Sequence, residues 1–219
     1  MYKNCIIKII LFCLAAFSVN AENKIVLFGD SLMAGYGLSK EYHLSSILEN
    51  NLINKGYKVK VVNAGVSGDT SAGGLNRISW TLSEKDIDFL ILGLGANDML
   101  RGIQPKETKN NLDKIIKLTL NKNIKIILAG MIAPNSYEQN YKKKFDELYK
   151  SLSDKYNLSF IPFLLEGVAL NPDLNLEDGM HPNQEGVKII SNTIEEKIIA
   201  LLNYSKMKKL LGILVLGLL

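Results

Sequence analysis

The chain has little cysteine and little histidine, and both shortages narrow the chemistry available to it. Its two cysteines, Cys5 and Cys13, fall within the first 21 residues. Residues 22–219 can therefore form no disulfide, no cysteine nucleophile and no cysteine-bound metal site. Only His43 and His181 are available as a histidine general base.

A membrane-spanning helix requires an apolar run of about 18 residues, and the sequence has no run of that length. Near the N-terminus, Lys3 and Lys8 precede an apolar run over residues 9–17, and small and polar residues follow as far as Ala21. This order is typical of a secretory signal peptide. We predict a cleaved signal at residues 1–21, a periplasmic or secreted location and no stable membrane span; a membrane anchor is the alternative.

The C-terminus has an unusual order of residues. The Met-Lys-Lys sequence that begins at Met207 precedes an apolar run over residues 210–219, which is the order of a signal-peptide start rather than of a domain end. We predict a domain over residues 22–205 and treat residues 206–219 as a tail of doubtful origin. Read-through from a neighbouring frame is one hypothesis, and a short membrane-touching tail is the other.

The excess of basic residues is confined to the two ends. The chain has 26 basic and 22 acidic residues, but five lysines lie in ends that contain no acid, which leaves 21 basic against 22 acidic residues in the domain. A nucleic-acid-binding domain is expected to have a basic excess. We therefore predict no nucleic-acid partner.

Short apolar runs alternate with amphipathic ones through the domain. Five runs are almost continuously apolar, as is typical of parallel strands covered on both faces: residues 24–28, 58–63, 88–94, 124–129 and 158–163. Between and after them, apolar residues recur at helical spacing over residues 42–55, 71–83, 108–120, 138–155 and 184–203. This alternation predicts an α/β fold, a three-layer sandwich around a five-stranded parallel sheet.

Four polar clusters follow the strands or precede the last helix, at the edge where such sheets bind ligands. They are Gly-Asp-Ser-Leu at residues 29–32, Ser-Gly-Asp-Thr at 67–70, Gly-Ala-Asn-Asp-Met-Leu-Arg-Gly at 95–102 and Asp-Gly-Met-His-Pro-Asn at 178–183. Together these blocks resemble the four signature blocks of the SGNH, or GDSL, hydrolases, most closely the bacterial thioesterase, arylesterase and lysophospholipase branch. The resemblance implies a flavodoxin-like fold and a serine hydrolase.

The residues themselves favour nucleophilic catalysis by Ser31. A serine hydroxyl requires a base, and His181 has Asp178 three residues earlier, which can orient the imidazole within one turn. His43 has no such acid and is predicted to be a surface or packing histidine. Ser31 could also be a helix N-cap, and Asp30 is interpreted as structural.

The resemblance implies an oxyanion hole made by the backbone N–H groups of Ser31 and Gly68 and the side-chain amide of Asn97. Asp69 and Asp98 are interpreted as turn residues. Although Asp30, Asp69 and Asp98 suggest a metal site, hard cations require more convergent oxygens, so we predict no metal and no other cofactor.

Apolar residues near these blocks predict walls for an acyl or aryl group: Met99, Leu100, Ile132, Pro134 and Met180, each of which is also a candidate for ordinary core packing. We predict a monomeric enzyme that cleaves small-molecule carboxylic esters or thioesters. A carbohydrate O-acetylesterase on the same fold and a non-catalytic periplasmic binding protein are the alternatives.

Overall fold

A computed structural model describes residues 22–216 of the chain, with the side chains of residues 205–206 and those after 207 left out. The predicted signal peptide therefore lies outside the described residues, as do the side chains of the apolar run over residues 210–219. Residues 23–197 form one compact unit, and Glu22 with residues 198–216 belongs to a second. In the described part of the chain, no helix has the length and apolar character needed to cross a bilayer.

Five strands form one parallel sheet in the order β2-β1-β3-β4-β5. Their bounds are β1 Asn23–Gly29, β2 Val59–Gly65, β3 Ile87–Gly93, β4 Lys125–Ala129 and β5 Ser159–Ile161. The central strands β1 and β3 are buried along almost their whole length, which is why their sequences are nearly free of polar residues. The strand order is the flavodoxin-like one, and the α/β prediction is confirmed.

Seven helices of the described residues connect or follow the strands. They are α1 Ser31–Ala34, α2 Leu44–Asn54, α3 Ser71–Thr81, α4 Ala96–Leu100, α5 Pro105–Leu120, α6 Gln139–Tyr156 and α7 Gln184–Leu216. From β1 the chain moves outward in one direction to β2, and then in the other direction through β3 to β5. Right-handed crossovers therefore place α2 on one face of the sheet and α3, α5 and α6 on the other.

Most element boundaries differ from the sequence prediction by a few residues, and three of these differences have a local physical reason. Strand β5 ends at Ile161 because Pro162 has no N–H to donate to a neighbouring strand. Helix α5 begins at Pro105, three residues early, because proline suits the first helical position. Helix α7 continues past residue 203 to Leu216, through lysines and leucines that favour helix.

Candidate active site

Ser31 occupies the first position of the short helix α1, directly after β1. Asp30 caps this helix, since its Oδ1 atom accepts a hydrogen bond from the Leu32 N–H at 3.1 Å. Gly29 is required at the strand end, because a Cβ atom there would lie 2.3 Å from the carbonyl oxygen of Gly93 on β3. This tight turn presents the half-buried Ser31 at the carboxyl edge of the sheet.

His181 is held by a loop that folds back on itself before α7. The Leu176 N–H donates to the His181 carbonyl at 2.7 Å, and the Asn183 N–H donates to the Leu174 carbonyl at 2.9 Å. The Asn183 side chain accepts from the first backbone N–H groups of α7, at 3.0 and 3.1 Å. The histidine loop is thus fixed to the start of a long helix.

The structure joins the three predicted catalytic side chains in series, although Ser31 and His181 are 150 positions apart. His181 Nε2 lies 2.9 Å from Ser31 Oγ, and His181 Nδ1 lies 2.6 Å from Asp178 Oδ2. These distances allow the imidazole to accept the serine proton at one nitrogen while its other nitrogen donates to the carboxylate.

Asp178 is held as a carboxylate by its hydrogen bonds. Its Oδ1 atom accepts from the backbone N–H of His181 at 3.0 Å and from that of Met180 at 2.9 Å. These two bonds, followed by the bond from the imidazole, lower the pKa of Asp178 to about 2. Asp178 is therefore ionised over the whole range in which a histidine base works.

The predicted oxyanion donors follow β1, β2 and β3: Ser31 begins α1, Gly68 lies on the loop after β2, and Asn97 lies in α4. Gly68 has a positive φ of 79°, and its carbonyl accepts from Arg101 at 2.8 Å. The Asn97 amide donates to the Asp69 carbonyl at 3.0 Å, which leaves its second N–H available. Among residues 22–216, no group accepts a hydrogen bond from the backbone N–H of Ser31 or Gly68.

Asp98 is not a turn residue, so that prediction is wrong. It lies within α4, fully buried, and its carboxylate accepts from the Ser71 N–H at 2.7 Å, from Thr108 Oγ1 at 3.1 Å and from the Ser71 hydroxyl. A buried carboxylate is costly unless it is hydrogen-bonded in this way. The network ties α4, which bears Asn97, to the start of α3.

Arg77 was not predicted as part of the site, but it connects the carboxyl ends of β1 and β2 with the loop after β2. Its guanidinium donates to Asp69 Oδ2 at 2.7 Å, to the Ala64 carbonyl at 2.8 Å and to the Gly29 carbonyl at 2.9 Å. The same group lies 3.9 Å from the centroid of the Phe28 ring. In sequence Arg77 is only a charged residue in an amphipathic helix, so no local signal identifies this role.

His43 is a packing residue, as predicted. Its Nε2 atom lies 3.0 Å from the Leu38 carbonyl oxygen, and its ring packs against Gly35, where a Cβ atom would come within 2.4 Å of the ring. The histidine therefore supports the loop after α1.

The five predicted substrate-wall residues separate into two groups. Met99 is only 6% exposed, which fits the alternative of core packing. The remaining four are exposed: Leu100, Ile132, Pro134 and Met180. Tyr137 Oη donates to the Met99 carbonyl at 3.2 Å and thereby joins the loop after β4 to α4, the helix that bears Asn97. Within residues 22–216, no three acidic, histidine or cysteine side chains form a metal-binding group.

Asp30, the buried residue directly before Ser31, should make the free energy of unfolding depend on pH. Burial is the main cause that raises its pKa to about 6, from 3.8 in the unfolded chain. Between these pH values the native state binds one more proton than the unfolded state, so the free energy of unfolding falls as pH rises, by about 3 kcal/mol.

Asp30→Asn should remove this dependence, because a neutral amide can still accept the Leu32 hydrogen bond. We expect the variant to gain stability over the wild type between pH 4 and pH 6 and to keep the gain at pH 7. Urea unfolding at each pH measures the difference. Asp86→Asn, at an exposed carboxylate, is the matched control. An Asp30→Asn curve parallel to the wild-type curve would contradict the prediction.

The fold and this group of side chains together are those of a serine hydrolase: a flavodoxin-like sheet with Ser31, His181 and Asp178 joined at its carboxyl edge. Residues 27–189 match the model of the GDSL-like Lipase/Acylhydrolase family, and the chain belongs to this family. It is therefore an enzyme that hydrolyses acyl esters, and the resemblance found in the sequence is confirmed. The alternative of a non-catalytic binding protein is disfavoured.

Named relatives cover almost the whole chain. It is 34% identical over 191 residues to an arylesterase of Vibrio mimicus, covering 87% of this chain and 95% of that protein. It is 31% identical over 191 residues to the thioesterase 1/protease 1/lysophospholipase L1 of Escherichia coli strain K12. That match covers 87% of this chain and 90% of that protein.

Solved structures agree with the fold. The SGNH-hydrolase family esterase AlinE4 is 39% identical with a TM-score of 0.71, and the match covers 84% of this chain and 99% of that one. The psychrotrophic esterase EstA from Pseudoalteromonas sp., in a structure inhibited by monoethylphosphonate, is 30% identical with a TM-score of 0.78. That match covers 83% of this chain and 100% of EstA.

Proposed function

We propose that the protein hydrolyses carboxylic esters and thioesters through an acyl-enzyme on Ser31, with His181 as general base and acid and Asp178 as the orienting carboxylate. The observation that supports this assignment most directly is the pair of hydrogen bonds, 2.9 and 2.6 Å long, that connects the three side chains. The oxyanion donors are the N–H groups of Ser31 and Gly68 and the free amide hydrogen of Asn97.

In the acylation step, Ser31 Oγ attacks the carbonyl carbon of the substrate while its proton passes to His181 Nε2. The oxygen of the tetrahedral intermediate becomes negative and is held by the three N–H donors. As the intermediate collapses, the bond from carbon to the alcohol oxygen or thiol sulfur breaks, and the proton on Nε2 moves to the leaving atom.

Deacylation repeats this sequence with water. Water attacks the acyl carbon and gives a proton to His181 Nε2; the bond to Ser31 Oγ then breaks, and Oγ recovers the proton. Asp178 stays ionised throughout because its pKa lies near 2, so it stabilises the imidazolium in both steps.

The substrates that we propose are small esters and thioesters with an acyl or aryl group, including aryl esters, acyl thioesters and lysophospholipids. The activities in the names of the two curated relatives support this range. The exposed apolar residues Leu100, Ile132 and Met180 are suitable walls for such groups. We also propose that residues 1–21 direct export to the periplasm or the medium and that the mature enzyme is a monomer.

A fluorophosphonate probe tests the nucleophile. We expect the purified protein to be labelled at Ser31 with loss of esterase activity, and Ser31→Ala to take up no label. Ser136→Ala, at an exposed loop serine, is the matched control and should label like the wild type. Peptide mass spectrometry locates the modified residue. Absence of labelling together with absence of hydrolysis would contradict the proposed mechanism.

A series of p-nitrophenyl esters from acetate to dodecanoate tests the substrate class. We expect turnover to extend beyond acetate, because apolar side chains are exposed on two loops near the site. Turnover confined to acetate would instead favour the carbohydrate O-acetylesterase. An acyl-CoA of matching chain length, followed by thiol release, tests the thioester activity separately.

A further inference from the structure

Tyr36 lies against the imidazole of His181, and the functions assigned so far do not use it. The two ring centroids are 4.4 Å apart, with an angle of 36° between the ring planes. The tyrosine side chain is nevertheless 51% exposed, so a large part of its ring remains free for another molecule. Among the side chains that the structure describes, the Tyr36 hydroxyl has no hydrogen-bond partner.

The backbone of Tyr36 is fixed to the nucleophile itself. The N–H groups of Gly35 and Tyr36 both donate to the Ser31 carbonyl, at 3.1 and 3.2 Å. Gly35 adopts the left-handed conformation, φ 83°, that ends α1, and a Cβ atom there would strike the His43 ring. The tyrosine therefore has a defined position before any substrate arrives.

The chemistry of the leaving group determines what the free face of Tyr36 contacts. His181 Nε2 must give a proton to the departing oxygen or sulfur, so this atom lies within hydrogen-bond reach of Nε2. Because Tyr36 covers the same imidazole, a bulky group attached to the departing atom is brought against the tyrosine ring. The acyl part, by contrast, is attached to the carbonyl carbon at Ser31.

We propose that Tyr36 is a specificity-determining residue that forms the wall for the leaving group and favours esters whose alcohol or thiol carries an aromatic ring. This inference rests on the proposed function, since it requires His181 to protonate the leaving group. An aromatic ring gains more from such a wall than an alkyl chain does, because offset or tilted ring pairs add to the gain from buried area.

Two esters with the same acyl group isolate the contact. Benzyl butyrate and ethyl butyrate both release a primary alcohol, but only the first has a ring to place against Tyr36. We measure kcat/KM, which reports the steps up to alcohol release. Tyr36→Ala should lower kcat/KM for benzyl butyrate about three- to tenfold more than for ethyl butyrate. Tyr36→Phe should keep the wild-type ratio of the two values.

Two controls separate this role from general damage. Trp80→Ala removes another exposed aromatic side chain, on α3, and should leave the ratio unchanged. Ethyl butyrate and ethyl hexanoate differ only in the acyl group, so Tyr36→Ala should change kcat/KM for these two esters by the same factor. If Tyr36→Ala lowers kcat/KM equally for all three esters, Tyr36 acts only as support for His181 and the proposal is overturned. The proposal is also overturned if Tyr36→Ala changes the ratio of kcat/KM between ethyl butyrate and ethyl hexanoate but not the ratio between benzyl butyrate and ethyl butyrate.

The proposed function can fail independently of Tyr36. A wild-type protein that neither hydrolyses ethyl butyrate nor reacts with the fluorophosphonate refutes the acyl-enzyme mechanism. A wild-type protein that does both, combined with an unchanged benzyl-to-ethyl ratio in Tyr36→Ala, refutes only the role of Tyr36.

Discussion

Ser31→Ala and His181→Ala should each lower kcat for p-nitrophenyl butyrate by about 10⁴- to 10⁶-fold, and the double variant should be no worse than either single variant. The two side chains act as one unit, because the hydroxyl is a weak nucleophile unless the imidazole 2.9 Å away takes its proton. Removing either side chain therefore removes the whole contribution of the pair to the rate of acylation.

Steady-state kinetics on the three variants, with the wild type as reference, test this non-additivity. Thermal unfolding should show three folded proteins, since both side chains lie at the surface edge of the sheet and not in its core. A double variant whose loss equals the product of the two single losses would indicate that the residues act separately. The hydrogen bond between them would then have no catalytic role.

Asn97→Ala should lower kcat by about 10²- to 10³-fold with little change in KM. The amide hydrogen that is not bonded to the Asp69 carbonyl is expected to bind the substrate oxygen only once that oxygen becomes negative. Its loss therefore raises the energy of the transition state more than that of the bound substrate.

Asn135→Ala, at an exposed asparagine in the loop after β4, is the matched control and should leave both constants unchanged. The unfolding temperature of Asn97→Ala reports any damage from the lost bond to Asp69. A variant with unchanged kcat and a raised KM would show that Asn97 contributes to substrate binding and not to the oxyanion hole.

The sheet and the meeting of the four polar clusters could be predicted from the sequence because both follow from general rules. Buried parallel strands are almost continuously apolar, and their carboxyl ends lie along one edge of the sheet. Ser31, Gly68 and Asn97 each follow a strand, so their shared location required no knowledge of distances. Asp178 and His181 were predictable as a pair because they are only three residues apart.

Other features of the site depend on contacts that no local pattern reveals. Arg77 binds the Gly29 carbonyl from 48 positions away, and Asp98 binds Ser71 from 27 positions away. Tyr36 contacts His181 only because the first and last loops of the site meet. An Asn-Asp pair is typical of a turn, so the burial of Asp98 could not be inferred from residue type.

The separation of Ser31 from His181 along the chain has a consequence for biosynthesis. Once the chain has been synthesised through β5, the Ser31 hydroxyl, the proposed oxyanion donors and all five strands are present. The base is still missing at that stage, because the histidine loop follows β5 in the chain. Under the proposed roles, a chain that ends before His181 is inert toward esters even if its five strands are in place.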